Sequence, residues 1–573
     1  MVTQHDAPSG DLPVPPSIQA LMAARIERLG PGEGAVLERA AVVGREFSRA
    51  AVAELLPEEW RSATGRHLDS LVAKDLLRAD RSGHAGDEVF RFRHVLIQQA
   101  AYRSIPKQRR AETHEAYAGW LATNAEEGSI EIEQVVGYHL EQAFRYRAEL
   151  GPVTDREMDL ARRAGERLAA AGRRAFRAGD MPASVNLLER AAALLPSDDR
   201  GRLRFLGDLG VALFDIGAVD QASAVLSEAT ELGRTVGDRA VEWSAIAKRL
   251  HVEMYRHPEA IKGEPLVHQA AQAIDALRAI DETGLARAWL LMSDARWVTG
   301  RSVLAALAAR RSVQHARRVG SRREESWAFG AYGYFLLFGS TPAVVGIRCL
   351  KRHLRNADGA PVIASNLSGF LAAHEAMTGR IEEARKRMAP SRVLVRDLGL
   401  TWQTGTHDIL SAFIESLAGD HASAEADLRS AFHTFSQMHD QWFLSGVTVN
   451  LAKVILDQGR ADEASDLLDT LEKGVGDPDL LIRPPTVRAR LLAAEGRLDE
   501  AETLARLAVA HAETTDFLGV HADAYVSLAE VLGLAGRRDE AVEALGSAIQ
   551  LYERKGNTVE ARKARAQRLS LIG

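Results

Sequence analysis

Cysteine is almost missing from this chain: Cys349 is the only one in 573 residues. A lone thiol can neither close an internal disulfide nor build a cysteine zinc site, and such usage fits a reducing cytoplasm. Apolar runs are short. None reaches 18 residues, and the opening "MVTQHDAPSGDLPVPP" shows no basic-then-apolar leader, so a cytoplasmic protein without a membrane span is expected. Neither sign of charge dominates, with 72 Lys and Arg against 78 Asp and Glu. The resulting net charge of −6 argues against a general nucleic-acid binder. Catalytic signatures are absent as well. Gly-x-Ser-x-Gly, His-Glu-x-x-His and Gly-x-Gly-x-x-Gly do not occur, and the 18 histidines are scattered. Gly-Lys occurs nowhere, which excludes a Gly-x-x-x-x-Gly-Lys-Ser/Thr phosphate loop. No enzyme activity, metal or cofactor is expected.

What the chain does have is a period. Glycines recur at Gly179, Gly217, Gly300, Gly339, Gly379, Gly419, Gly459, Gly496 and Gly536, with gaps of 38, 83, 39, 40, 40, 40, 37 and 40 residues. The gap of 83 holds two steps with one weak turn near His257-Pro258. Fixed self-similarity of this length marks a repeat array. An apolar run at helical spacing leads into each glycine, which can supply the left-handed conformation that stops a helix. Acidic residues follow in the clearest copies (Asp462 and Glu463, Asp499 and Glu500, Asp539 and Glu540), where they suit the positive end of the next helix. Five residues after the glycine stands a small side chain, as two closely packed helices require. It is Ala222, Ala305, Ala384, Ala424, Ala464, Ala501 or Ala541, with Ser184 and Val344 in the other two copies. The unit is a helix–turn–helix.

This pattern resembles the tetratricopeptide repeat, lengthened to about 40 residues. The expected fold is all-α: an α-solenoid over 165–573, preceded by a flexible N-terminus (1–13), a winged-helix domain (14–103) and a helical connector (104–164). Such an array is expected to offer a long curved surface and no single enclosed pocket.

In the N-terminal third, "VPPSIQALMAARIERL" reads as a helix capped by Ser17, and "GPGEG" (30–34) breaks it. "GAVLERAAVVG", then "SRAAVAELLP" with Ser48 as a cap, then "EEWRSATGRHLDSLVAKDLL" give three helices. Two extended pieces, "LLRAD" and "VFRFRH", flank the turn-rich "RSGHAGDE" as a two-stranded wing. A DNA reader would need a basic recognition helix, but the third helix mixes Arg61, Arg66, His67 and Lys74 with Glu58, Glu59, Asp69 and Asp75.

The strings "VPPSIQALMAARIERL", "ERAAVVGREF", "RFRHVLIQQAAYRSIPKQRRAETHEAYAGWL" and "VGYHLEQAFRYRAELGP" resemble one family over residues 13–235. It is the STAND-type bacterial signal-transduction ATPases of the cyclase-fused and maltose-regulator-like kind. Their order is cyclase, P-loop ATPase, winged helix, then tetratricopeptide-like repeats. This sequence begins where that family's ATPase core has ended, and it carries neither the P-loop nor the cyclase. The resemblance therefore implies a sensor and autoinhibitory module that acts through protein contacts. Expected partners are a P-loop ATPase or cyclase domain and a small-molecule or peptide inducer, with no nucleic acid and no membrane. Alternatives are a self-sufficient repeat scaffold and a winged-helix DNA-binding regulator.

Two sets of site residues follow. His94, in "RFRHVLIQQAAY", resembles the histidine of the Met-His-Asp motif in related ATPases. That resemblance implies a nucleotide-sensing contact, although Val95 replaces the acid and a plain capping or packing role also fits. In the array, Trp243, Trp289, Trp297, Trp327, Trp402 and Trp442 are candidate partner anchors, against the alternative of packing between repeats. Residues 240–350 depart most from the repeat and add Tyr332, Tyr334, Phe335 and Phe338, which makes them the first place to expect a ligand groove. Basic clusters at Lys107, Arg109 and Arg110, and along Arg380, Arg385, Lys386, Arg387, Arg392 and Arg396, read as solvated faces or partner contacts.

Overall fold

A computed structural model describes residues 16–80, 88–124, 130–257, 263–357, 359–471 and 478–572. The N-terminal stretch, most of the "RSGHAGDE" turn and Pro258 of the weak repeat turn lie outside the described residues. The chain divides into two compact units, 1–205 and 206–573.

The first unit opens with α1 (Pro16–Glu27) and α2 (Pro31–Val43), then β1 (Glu46–Ser48), α3 (Arg49–Leu55), α4 (Glu58–Arg61) and α5 (Thr64–Ala73). Next come β2 (Leu77–Asp80), β3 (Val89–Phe92) and α6 (Val95–Ser104). Helices α7 (Lys107–Asn124), α8 (Ile130–Leu150), α9 (Asp155–Ala178) and α10 (Met181–Leu194) complete it. The expected start of the array at residue 165 thus falls inside the continuous helix α9.

Local chemistry explains most of these ends. "GPGEG" starts a helix as well as ending one: Pro31 needs no amide partner at the first position, and the Glu33 carboxylate accepts from Gly30 N–H at 3.0 Å. Ser17 lies within α1, because the helix begins at Pro16. Ser48 does cap α3, its Oγ accepting from Ala51 N–H at 3.1 Å. The single long helix expected over 58–77 is instead two helices. Ser62 and Ala63 separate them, and Asp75, with φ 55°, turns the chain so that β2 can start at Leu77. The expected two-stranded wing gains a third strand. Phe47 of β1 pairs with Phe90 of β3, and Leu77 of β2 pairs with Phe92, giving the order β1-β3-β2. Three residues are too few to show strand periodicity in sequence, but Phe47 buries its ring against Phe90 and Phe92, 6.1 and 5.7 Å away.

The second unit is helical throughout its described residues. A 3₁₀ turn (Arg202–Arg204) ends the first unit, and from Leu206 on first and second helices alternate. The opening pairs are α11 (Leu206–Asp215) with α12 (Val219–Val236), α13 (Arg239–Arg256) with α14 (Gly263–Leu277), and α15 (Glu282–Val298) with α16 (Ser302–Arg318). Then come α17 (Arg322–Phe338) with α18 (Ala343–Leu354), α19 (Pro361–Met377) with α20 (Ile381–Asp397), and α21 (Thr401–Ala418) with α22 (His421–Gln437). The last are α23 (Gln441–Asp457) with α24 (Ala461–Asp469), α25 (Pro478–Ala494) with α26 (Leu498–Glu513), and α27 (Leu518–Leu534) with α28 (Arg538–Lys555). Helix α29 (Thr558–Ile572) follows.

Eight of the nine turn glycines have φ between 70° and 87°, the left-handed region that a side chain would strain. Gly339 is the exception, at φ −85°. Its lack of a side chain serves a close approach instead, since a Cβ there would stand 2.3 Å from Ser302 Oγ. The following turn is longer by its register. Gly346, not Val344, is the small residue at the contact: it is buried as the fourth residue of α18, where a Cβ would stand 2.3 Å from His374 Nε2, whereas Val344 is 59% exposed. The seven alanines and Ser184 are all fully buried, as two helices in close contact require.

The array also winds on itself, which no local signal announced. Helix α13 meets α23, α17 meets α27, and α19 meets α29, each ten helices later. Asp516 caps the N-terminus of α16, accepting from Ser302 N–H at 2.8 Å and Val303 N–H at 3.3 Å. The Lys555 ammonium, 1% exposed, donates to the carbonyls of Leu336, Gly339 and Thr341 at 2.8, 2.7 and 2.8 Å. Phe517 stacks on Trp297 at 4.2 Å. Partners some 215 residues apart mean that one superhelical turn takes between five and six repeats.

Candidate functional site

Inside that first turn the inward faces of the first helices meet. On α13 His251 and Tyr255 point inward, and on α15 Asp294 and Trp297 do so. Helix α17 contributes Trp327, Tyr334, Phe335 and Phe338, which fall at i, i+7, i+8 and i+11. Asn366 and Phe370 come from α19, Trp402, Thr406 and His407 from α21, and Trp442 and Phe443 from α23. Helical spacing places each set on one face, and the winding brings six such faces together. They line a cavity of about 70 Å³, counted as space for the centres of water molecules. The concave surface expected of the array is here narrowed to a cleft that stays open to solvent. A turn tight enough for α13 to touch α23 narrows the concave side, with Tyr255 and Phe443 parallel at 6.1 Å across it.

The wall is mostly rings. Trp327 lies 4.6 Å from Trp402, Trp402 is edge-on to Phe443 at 5.2 Å, and Trp297 stacks on Phe335 at 5.2 Å. Its polar groups are few and individually held. His251 Nδ1 lies 3.0 Å from Asp294 Oδ2. Burial raises the Asp294 pKa, and the imidazole beside it pulls in the other direction. His407 donates from Nδ1 to the Gln403 carbonyl at 2.8 Å, and its Nε2 lies 3.2 Å from Ser365 Oγ; burial lowers its pKa. Asp440 caps α23 by accepting from Phe443 N–H at 3.0 Å. Burial pushes it up to about 7, against the pull of that amide and the neighbouring Trp402 indole. Its Oδ2 and the indole Nε1 atoms of Trp297 and Trp402 are buried without hydrogen-bond partners of good geometry.

A second hollow of about 40 Å³ shares Tyr334, Phe338, Ile409, Trp442 and Phe443 with the first and adds Asn450, Asp479 and Arg483. There Arg483 donates to Asn450 Oδ1 at 2.8 Å and to Asp479 at 2.9 Å. Outside both linings Arg287 meets Glu324 at 2.6 Å, and Arg323 binds Asp215 at 2.6 Å. Burial works to raise Glu324, but Arg287 and Arg323 hold it down to about 2.

The structure brings four of the six candidate tryptophans together, Trp297, Trp327, Trp402 and Trp442. Trp243 and Trp289 lie elsewhere, the latter with the Arg311 guanidinium 4.6 Å over its ring. Tyr334, Phe335 and Phe338 of the expected central groove line the cavity, whereas Tyr332 does not. Sequence reading missed His251, Tyr255, Asp294, His407 and Phe443. The available signal was their place on the inward stripe of successive first helices, one repeat apart.

The other candidates sit as follows. His94 is exposed at the N-cap of α6, its Nδ1 accepting from Leu96 N–H at 3.2 Å. On α20 the basic cluster is largely paired: Arg387 with Glu375 at 2.8 Å, Arg392 with Asp408 and Asp427 at 2.7 and 2.6 Å, Arg396 with Asp408 at 3.0 Å. Near α5 Lys74 is held by Glu33 at 2.6 Å. Lys107 and Arg109 of α7 meet Glu149 and Glu38 at 2.8 and 3.1 Å. Among the described residues no helix is long and apolar enough to cross a membrane, and no group of three His, Cys, Asp or Glu side chains could hold a metal ion.

No family model matches the chain, and no curated protein matches it. Solved structures do resemble it. A Rap protein complexed with competence and sporulation factor shares 13% identity at a TM-score of 0.46, over 66% of this chain and 100% of that one. Cut9–Hcn1 of the APC/C shares 12% at 0.42, over 82% and 94%. A STAND protein with a tetratricopeptide repeat sensor, from Pyrococcus horikoshii, shares 14% at 0.25, over 95% of this chain and 66% of that one. At these identities none of them says what this chain binds. What the chain itself displays is a tetratricopeptide-like array of paired helices.

Proposed function

We propose that this chain is the sensing and regulatory part of a signal-transduction switch, without catalysis of its own. Its array takes up a small molecule or a peptide side chain in the aromatic cavity. One observation carries this reading: the cavity is built from six first helices of a single superhelical turn, so an occupant touches residues from His251 to Phe443 at once. An occupant of that kind favours one degree of winding over another, and so biases whatever docks on the array. The docked partner in this reading is a P-loop ATPase domain of the cyclase-associated, STAND type.

Tryptophan fluorescence tests the first step, since four of the eight tryptophans line the cavity. A panel of small aromatic solutes and short peptides is expected to include one giving a saturable change that Trp402→Ala abolishes with helix content intact. No response across the panel overturns the reading. The second step is tested by capture of the ATPase domain in its ADP and ATP states. Capture that differs between the two supports the switch; equal or absent capture removes it.

A further inference from the structure

We infer that the cavity is selective for an organic cation, an amine or quaternary ammonium group on a small apolar body. This rests on the reading of the cavity as a ligand site and adds the chemistry of what fills it. Three features argue for it together. Aromatic rings present negative faces, and a cation placed against them in a desolvated site is stabilised electrostatically. Lysine and arginine are absent from the lining, and its one carboxylate is Asp294. A second carboxylate, Asp440, lies outside the lining, buried beside the Trp402 indole.

Nearby arginines do not alter the balance, because each is committed elsewhere. Arg483 at the rim is held by Asp479 and Asn450, Arg287 by Glu324, and Arg323 by Asp215. Lys248, one turn from His251, is pushed down to about 7 by burial and by Arg287. An anionic ligand would face ring π-clouds and Asp294. The buried Nε1–H groups of Trp297 and Trp402 can serve an ether or carbonyl oxygen, but two neutral donors cannot replace the hydration of a carboxylate with about four lone-pair sites. Size limits the body of the ligand. The cavity offers about 70 Å³ to the centres of water molecules, the room of a small ring with a short arm.

The test is a matched series titrated into the full chain, followed by tryptophan fluorescence and calorimetry. The probes are trimethyl(2-phenylethyl)ammonium, 2-phenylethanol and 3-phenylpropanoate. The ammonium is expected to bind at least about tenfold more tightly than the carboxylate, with the alcohol between them. Asp294→Asn is expected to shrink the ammonium's advantage over the alcohol while alcohol binding stays within about twofold. Asp440→Asn, which keeps a capping side chain, gives the same comparison if Asp294→Asn does not fold. Carboxylate binding as tight as the ammonium, or an advantage untouched in both variants, overturns the inference and leaves the cavity reading standing. Failure of all three probes to bind overturns the cavity reading and this inference with it.

Discussion

Replacing Lys555 by methionine should loosen the array at one identifiable place. The lysine ends α28 and reaches the C-terminal carbonyls of α17, some 216 residues earlier, with three hydrogen bonds of 2.7 to 2.8 Å. Methionine fills similar volume with no donor. Each buried acceptor left unpaired costs about 1–3 kcal/mol, which for three gives about 3–9 kcal/mol. Part of that is offset, because the ammonium no longer has to be desolvated, a penalty of several kcal/mol per ion. The balance should resemble other broken buried charge contacts, about 3–5 kcal/mol. A repeat array does not unfold in one step, so a global melting temperature is the wrong readout. Hydrogen exchange of residues 336–346 and 550–560 reads the contact directly. At pH 6, below the value near 7 to which burial pushes the lysine, exchange in both segments should rise by about 100- to 1,000-fold or more. Exchange unchanged within about threefold in both segments would refute the reasoning, because three buried acceptors would then have lost their donor at no cost.

The remaining expectations concern packing and pH. Ala464→Leu should destabilise its repeat by about 1–3 kcal/mol, because Ala464 is 0% exposed, while Val344→Leu in the corresponding sequence position should be silent at 59% exposure; local exchange in the two variants decides it. In the first unit, His114 sits buried between Tyr102, with Oη 2.8 Å from its Nε2, and His139, 2.7 Å from its Nδ1. Burial and Arg110 lower its pKa to about 3, below the ordinary 6.5, so the folded state stays neutral where an unfolded chain takes up a proton. Stability is therefore complete above pH 6.5 and falls as pH drops toward 3, by about 2 kcal/mol at pH 5. Urea unfolding of the first unit at pH 8 and pH 5 should show that difference, and His114→Gln should flatten it.

Much of the fold was legible because its rules are local. A left-handed C′ residue and a small side chain at a helix contact are demands of one turn, and they recur in sequence wherever the turn recurs. The same logic exposes two misreadings. Gly339 kept the period while doing a different job, since only the approach of Ser302 shows why no Cβ is tolerated there. Strand β1 was missed because three residues carry no period, and Phe47 needs Phe90 and Phe92 before its burial makes sense. The cavity was half visible. Aromatic enrichment in residues 240–350 pointed to Tyr334, Phe335 and Phe338, but which tryptophans face inward depends on helix rotation. Trp289 and Trp297 lie on the same helix, and only Trp297 reaches the cavity.

Sequence alone determined the paired helices, their length and their turns, because backbone conformation and neighbour packing are settled within about 40 residues. Tertiary structure decided how tightly the pairs wind. Lys555, Asp516, Tyr255 and Phe443 look like ordinary side chains of a helix end, a turn and two helices. Only the accumulated rotation of more than five repeats brings them to partners some 190 to 220 residues away. Small angles per repeat add up over the array. Their sum narrows an open surface into an aromatic cleft.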